Sequence, residues 1–247
     1  MTVENDNDLQ GLMAIGRICG LAMHHMAKYV EPGITTAELD EIGAKFLEEH
    51  GAESAPIKAY NFPGHTCISV NDEAAHGIPG DKVIQAGDLV NIDVSAVKDD
   101  YWADTGMSMS VPPFSPKKER LLKCARQALD IAISNARAGN RVYEIGRAVE
   151  KFAHKQGYNV LHELGGHGVG RHIHEPPTVP NHYNRRARET LQEGMVVTLE
   201  PFLTMGSQRV AKMRDGWTLK THDGSLVAQY EHTVVITGGK PILVTAV

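Results

Sequence analysis

The chain repeats itself. At an offset of 106 residues Gly33 aligns with Gly139, Glu38 with Glu144, Lys45 with Lys151, Phe46 with Phe152 and Gly51 with Gly157. At an offset of 107, Gly87 aligns with Gly194, Val90 with Val197 and Asp93 with Glu200. Breakers and apolar positions recur in any two helix-then-strand units. An acidic residue at the same point of both strand regions is a stricter coincidence. With 247 residues and about 150 per domain, length alone leaves one domain or two. The repeat favours one pseudosymmetric domain of two α-α-β-β halves, about 9–111 and 115–244.

Local patterns define the parts of each half. Leu9, Leu12, Ile15, Cys19, Ala22 and Met26 recur at helical spacing, which predicts a helix to about Tyr29, ended by Pro32-Gly33. A second helix opens at Thr35 with Glu38 completing a capping box, Ile34 and Leu39 flanking it as a hydrophobic staple, and Gly51 as the stop. The stretch Ala55 to Gly80, rich in Gly, Pro and Asn, holds one apolar run, Cys67 to Val70. From Gly87 to Ser95, Val90, Ile92 and Val94 alternate with Asn91, Asp93 and Ser95, the period of a strand. A second such run extends from Tyr101 to Val111. In the second half, Ser115-Pro116 reads as a cap with proline at the first helical position, opening a helix to about Arg137. Another is expected from about Val142 to Gln156, stopped by Gly157.

The net charge of −5, from 25 basic and 30 acidic residues, gives no basic footprint for nucleic acid. No apolar run approaches the ~18 residues needed to cross a bilayer. The acidic amino-terminal stretch does not read as a secretory signal. Three cysteines without a CxxC pair, Cys19, Cys67 and Cys124, fit a reducing compartment. The expectation is a cytoplasmic protein without nucleic-acid or membrane partners.

The chemistry concentrates in four acids. A hairpin with its loop centred between Lys98 and Asp99 would set Asp93 directly opposite Asp104, with Cβ atoms about 4.5–5.5 Å apart. Such a pair is destabilising on its own, and its apolar flanks (Val90, Ile92, Val94, Met107, Met109) argue for burial, which demands partners or a metal. Glu200 ends the run Val196 to Leu199, and Glu231 enters the run to Ile236, so the second half carries a matching pair. Four converging carboxylates would be balanced by two divalent cations. One imidazole added to the set shifts the preference from Mg or Ca towards Mn, Fe, Co or Zn. The histidine candidates lie in Gly-Gly-His167-Gly-Val-Gly-Arg-His-Ile-His174-Glu. This is not a dinucleotide fingerprint, because prolines follow where a helix should. Nor is it a His-Glu-x-x-His zinc helix, because His162 and His167 are one residue too far apart and glycines intervene.

Asp93 in Asn-Ile-Asp-Val, Asp104 in Ala-Asp-Thr-Gly, His167 in Gly-Gly-His-Gly-Val-Gly-Arg, Glu200 in Thr-Leu-Glu-Pro and Glu231 in Gln-Tyr-Glu-His-Thr together resemble the type I methionine aminopeptidases, over about Leu9 to Val244. The resemblance implies an α+β "pita-bread" fold, two α-α-β-β halves around a curved antiparallel sheet forming a single catalytic domain, 1–247. It implies removal of the N-terminal methionine from nascent proteins and peptides by a hydroxide on two divalent ions (Co, Mn, Fe or Zn). Asp93, Asp104, His167, Glu200 and Glu231 would be the ligands, Asp104 and Glu231 bridging, with Glu200 also moving the proton. His76 would sit near the substrate amine and scissile nitrogen, and His174 would hydrogen-bond the substrate carbonyl. Phe62, Cys67, His76, Trp217 and Ile173 would form the methionine pocket, and Asn71 would lie beside a monovalent cation. Pro56 and Ala59 depart from the cysteine and tyrosine common at those positions, with consequences for pocket shape and turnover. Ribosome association, a monomeric state and a cytoplasmic location are further implications. Two other readings share the residues: an Xaa-Pro aminopeptidase or prolidase-like enzyme, which usually carries a large amino-terminal domain, and a non-catalytic binding protein on the same fold.

Overall fold

The computed structural model describes residues 1–247. Its first half runs α1 (Asp6–Ala27), α2 (Thr36–Glu49), β1 (Glu53–Ser54), α3 (Ala55–Tyr60), β2 (Cys67–Val70), β3 (Glu73–Ala75), β4 (Leu89–Lys98) and β5 (Tyr101–Ser110). The second begins with α4 (Pro116–Asn135), α5 (Val142–Gln156), β6 (Asn159–Val160), β7 (Gly165–Gly168), β8 (Glu175–Pro180) and β9 (Val196–Leu199). It ends with β10 (Phe202–Thr204), β11 (Val210–Lys212), β12 (Leu219–Thr221), β13 (Val227–Gln229), β14 (His232–Val235) and β15 (Ile242–Leu243). Helices pack on antiparallel sheets, the α+β arrangement expected.

Most helix ends follow local capping chemistry. The Asn5 side chain accepts from Asp8 N, so α1 starts ahead of its apolar series. Thr35 and Glu38 form the reciprocal capping box of α2. Ser115 makes no side-chain cap bond, so α4 relies on Pro116 at its first turn and stops at Asn135, short of Arg137. Gly157, at φ 82°, closes α5 in the left-handed region. One element is absent from the periodicity reading. The six-residue α3 forms where Ser54 accepts from Ile57 N and Pro56 occupies the first turn.

The repeat is visible as two cores. Ile15, Cys19 and Met26 of α1 and Leu39 of α2 pack with Val90, Ile92 and Val94 of β4. In the second half Leu121, Leu129, Ile145 and Val149 of α4 and α5 pack with Val197, Leu199 and Val234. The strands β2, β1 and β5 all pair antiparallel with β4, and a five-stranded sheet runs β15-β14-β9-β7-β8. The two sheets are stitched between β5 and the start of β14. Glu231 N donates to Gly106 O at 2.9 Å, and Asp104 N donates to Thr233 Oγ1 at 3.0 Å. No helix is long and apolar enough to cross a membrane.

The β4–β5 register corrects the expected pairing. Lys98 pairs with Tyr101, which makes Asp99-Asp100 a two-residue turn, and both residues have positive φ, 50° and 61°. This is the mirror-image turn that matches strand twist, and aspartate tolerates it better than most side chains. The loop centre therefore lies one residue later than predicted. Asp93 opposes Gly106, and Asp104 opposes Ser95. A shift of two positions keeps both acids on one face, but as diagonal rather than direct neighbours, which lessens their repulsion.

Candidate metal centre

Five side chains from both halves converge on the face of β4 and β5 opposite α1. Asp93 and Asp104 come from the hairpin, and His167 comes from β7. Glu200 follows β9 and Glu231 precedes β14. Because His232 pairs with Leu199, both glutamates sit just beyond the last rung of that ladder rather than inside the strands. Asp104, His167 and Glu231 place ligand atoms within 4.8 Å of one another. His167 Nε2 lies 3.8 Å from Asp104 Oδ2 and 3.5 Å from Glu200 Oε1.

The glycines around His167 work by close approach. A Cβ on Gly166 would fall 2.2 Å from Thr198 O, and one on Gly168 2.3 Å from Pro176 O. Strand β7 is wedged between β8 and β9, and only a bare backbone fits. His167 Nδ1 lies 2.9 Å from Gly168 O. A carbonyl can only accept, so the ring proton sits on Nδ1 and the Nε2 lone pair is left for the acids' side of the cleft.

The electrostatics suit a cation, which would let these buried acids ionise. Burial raises the carboxyl pKa of Asp93, Asp104, Glu200 and Glu231, and for Asp93, Glu200 and Glu231 the nearby Asp104 raises it further. Burial also pulls the His167 imidazole down to about 3, so it is neutral and able to ligate. Asp104 Oδ1 and Glu231 Oε1 are buried without any hydrogen-bond partner. No lysine or arginine lines the cleft. Orphaned anionic oxygens beside a neutral imidazole fit divalent cations, and the mixed O/N set suits Mn, Fe, Co or Zn.

A cavity of about 380 Å³ opens beside these acids. All five are in its wall, together with His76, His174, Phe62, Cys67, Trp217 and Ile173. Phe62 and Trp217 meet edge-to-face with centroids 5.2 Å apart, and Cys67 pairs with Asp93 across β2 and β4. His76 sits at φ 54°, a strained position for a side chain of its size. Burial lowers its pKa, with His174 contributing. Asn71 is not in the cavity wall. Its side chain is engaged by Asp88 Oδ1 at 2.7 Å and Leu89 N at 3.0 Å. Pro56 lines the cavity and Ala59 does not. Tyr60 and Phe202 also line it and were not anticipated. The Ser54 cap and Pro56 were the available signal for Tyr60, since residues four apart share a helix face.

Buried acids and one neutral imidazole beside an apolar pocket, set between two pseudosymmetric halves, define the metallohydrolase class. The sequence profile of metallopeptidase family M24 matches residues 10–238, and the chain belongs to that family. It is 47% identical over 247 residues to methionine aminopeptidase 2 of Bacillus subtilis (strain 168), covering 99% of each chain. The crystal structure of methionine aminopeptidase from Rickettsia prowazekii superposes with a TM-score of 0.95 at 33% identity, each chain fully covered. Prolidase from Pyrococcus furiosus shares the fold with a TM-score of 0.81 at 22% identity, the match covering all of this chain and 66% of the prolidase.

Proposed function

We propose that this chain is a methionine aminopeptidase, hydrolysing the peptide bond that follows an N-terminal methionine. The observation that carries the reading is the closed juxtaposition of the acid cluster with a pocket of Phe62, Cys67, Trp217 and Ile173, apolar and sulfur-bearing like the side chain it would take. Asp93, Asp104, His167, Glu200 and Glu231 would hold two divalent ions, which would satisfy the unpaired buried oxygens of Asp104 and Glu231. Bound there, such ions supply Lewis acidity and water that ionises near neutral pH.

The protein's own groups do the rest. Glu200 takes a proton from the attacking water and passes it to the leaving amine. Thr198 Oγ1 donates to Glu200 Oε1 at 3.0 Å and accepts from His167 N at 3.0 Å, which aligns the two. His174 donates to the substrate carbonyl as it gains negative charge, and His76 faces the scissile nitrogen. The two halves act as one catalytic domain. The substrates are methionine-headed peptides and nascent chains, met by a cytoplasmic monomer that works at the ribosome and holds a monovalent cation near Asn71. Three buried free cysteines support the reducing compartment.

Metal titration of the purified chain, with Met-Ala-Ser and Ala-Pro peptides as substrates, tests the reading. Metal-dependent release of methionine from Met-Ala-Ser is expected. Turnover confined to the Ala-Pro peptide would favour the prolidase-like alternative, and metal binding with no turnover would favour a non-catalytic protein.

A further inference from the structure

His174 makes one side-chain hydrogen bond within the chain: its Nδ1 lies 2.6 Å from Tyr60 Oη. The two rings are 5.5 Å apart at 50°. On its other side His174 faces His167, with centroids 4.1 Å apart. A second imidazole therefore lies against His167, in the wall of the same cavity as the acids.

Tyr60 is held from two directions. It closes α3, and Asn61 follows in the left-handed region with its N–H donating to Ile57 O at 2.9 Å. At the other end of α3, Ser54 pairs with Ala96 of β4 and donates to His65 O at 2.8 Å. The phenol is thereby tied to the strand that carries Asp93. The backbone before His174 is fixed separately, because Glu175 Oε1 accepts from Arg171 N at 2.6 Å and His172 N at 2.7 Å. Only the imidazole is left to be oriented.

We propose that Tyr60 is a positioning residue that sets the tautomer and orientation of His174, making it a hydrogen-bond donor to the substrate carbonyl and not a metal ligand. This rests on the aminopeptidase reading for the carbonyl. A phenol O–H is a strong donor whose oxygen accepts only weakly, whereas an unprotonated imidazole nitrogen accepts strongly, so the favoured sense of this bond has Nδ1 accepting and places the ring proton on Nε2. The two neighbouring imidazoles are then set in opposite senses. His167 gives its Nδ1–H to the Gly168 carbonyl and presents a lone pair at Nε2. His174 has its Nδ1 2.6 Å from the Tyr60 hydroxyl, and accepting there would leave it an N–H at Nε2. An N–H can polarise a carbonyl and cannot bind a cation. The residue beside the cluster is thus kept out of the ligand set by a hydroxyl at the rim.

The test uses Tyr60→Phe, which keeps the ring and removes the hydroxyl, alone and with His174→Ala. Long-range ¹H–¹⁵N correlation of the imidazoles in metal-free protein should find His174 as the Nε2–H tautomer in the parent chain and as a mixture in Tyr60→Phe. With metal and a Met-Ala-Ser peptide, Tyr60→Phe should lose about tenfold in kcat with KM within about twofold, less than the 10²–10³ of losing an oxyanion donor outright. In the His174→Ala background the same change should have no further effect. An unchanged His174 tautomer in Tyr60→Phe would overturn the proposal, as would equal losses in both backgrounds. A tautomer shift in protein that turns over no methionine peptide would support the role of Tyr60 and count only against the aminopeptidase reading.

Discussion

Asn91 and Gln229, 138 residues apart in the chain, are joined by a 2.8 Å hydrogen bond from Nδ2 to Oε1 in the buried seam between the halves. The other end of the Gln229 amide donates to Glu231 Oε2 at 2.8 Å. Asn91 also donates to Ser108 Oγ at 3.1 Å, and that oxygen accepts from Gln229 N at 2.9 Å. A residue of the first half thus orients a carboxylate of the second.

Gly106 makes room for this relay. A Cβ there would lie 2.6 Å from Gln229 Oε1, whereas one on Gly166 would lie 2.2 Å from the backbone oxygen of Thr198. The amide can move and the backbone cannot. Gly106→Ala is predicted to weaken metal binding about 10–100-fold by releasing Glu231, with a stability loss below about 1 kcal/mol. Gly166→Ala is predicted to lose about 1–3 kcal/mol of stability. Isothermal titration with Mn or Co and urea melts separate the two, and equal metal affinity in Gly106→Ala and the parent would refute the relay.

Divalent ions should stabilise the fold, because they relieve the buried orphan oxygens of Asp104 and Glu231. At a free ion concentration of 100 times Kd the gain is about 2.7 kcal/mol, or about 5–10 °C in Tm for a chain of this size. Differential scanning fluorimetry with and without EDTA reads it. Asp104→Asn should show little of the rise, and a full rise in that variant would place the ions elsewhere.

Glu200→Gln should lower turnover of a Met-Ala-Ser peptide by about 10²–10⁴, the range for loss of a general base. Elemental analysis of the variant should still find bound metal. Near-normal turnover with metal retained would remove Glu200 from the proton path.

His182 supplies a pH dependence remote from the acids. Burial lowers its pKa, and the neighbouring His162, stacked at 4.2 Å, lowers it further, while Glu150 and Glu163 pull the other way. Its Nδ1 is buried without a partner. The unfolded chain therefore takes up this proton at higher pH than the folded one, so the contribution to stability is full above about pH 6.5 and declines as pH falls below it. His182→Phe, which keeps an aromatic face against His162, should show a smaller drop in Tm between pH 7.5 and 5.5. Parallel curves for the two proteins would rule this residue out as a source of acid lability.

Much of the candidate site is legible in the sequence. Asp93, Asp104, Glu200 and Glu231 stood out as lone acids in or beside apolar runs, and glycines marked His167, because burying charge is costly wherever it occurs. The ends of α2 and α5 followed from caps that act within four residues. Tyr60 is not legible there, because α3 is too short to show a period and its partner His174 is 114 residues away.

Alternation, capping and glycine chemistry are local, so the amino-acid order alone marks which side chains can form a buried acid cluster and that two related halves supply them. The remaining geometry comes from packing. The Asp99-Asp100 turn set Asp93 and Asp104 diagonally, the squeeze of β7 made glycine obligatory around His167, and Tyr60 and Gln229 reached across the fold to orient His174 and Glu231. These arrangements depend on how the sheets pack, and residues far apart in the chain acquire a mutual geometry only there.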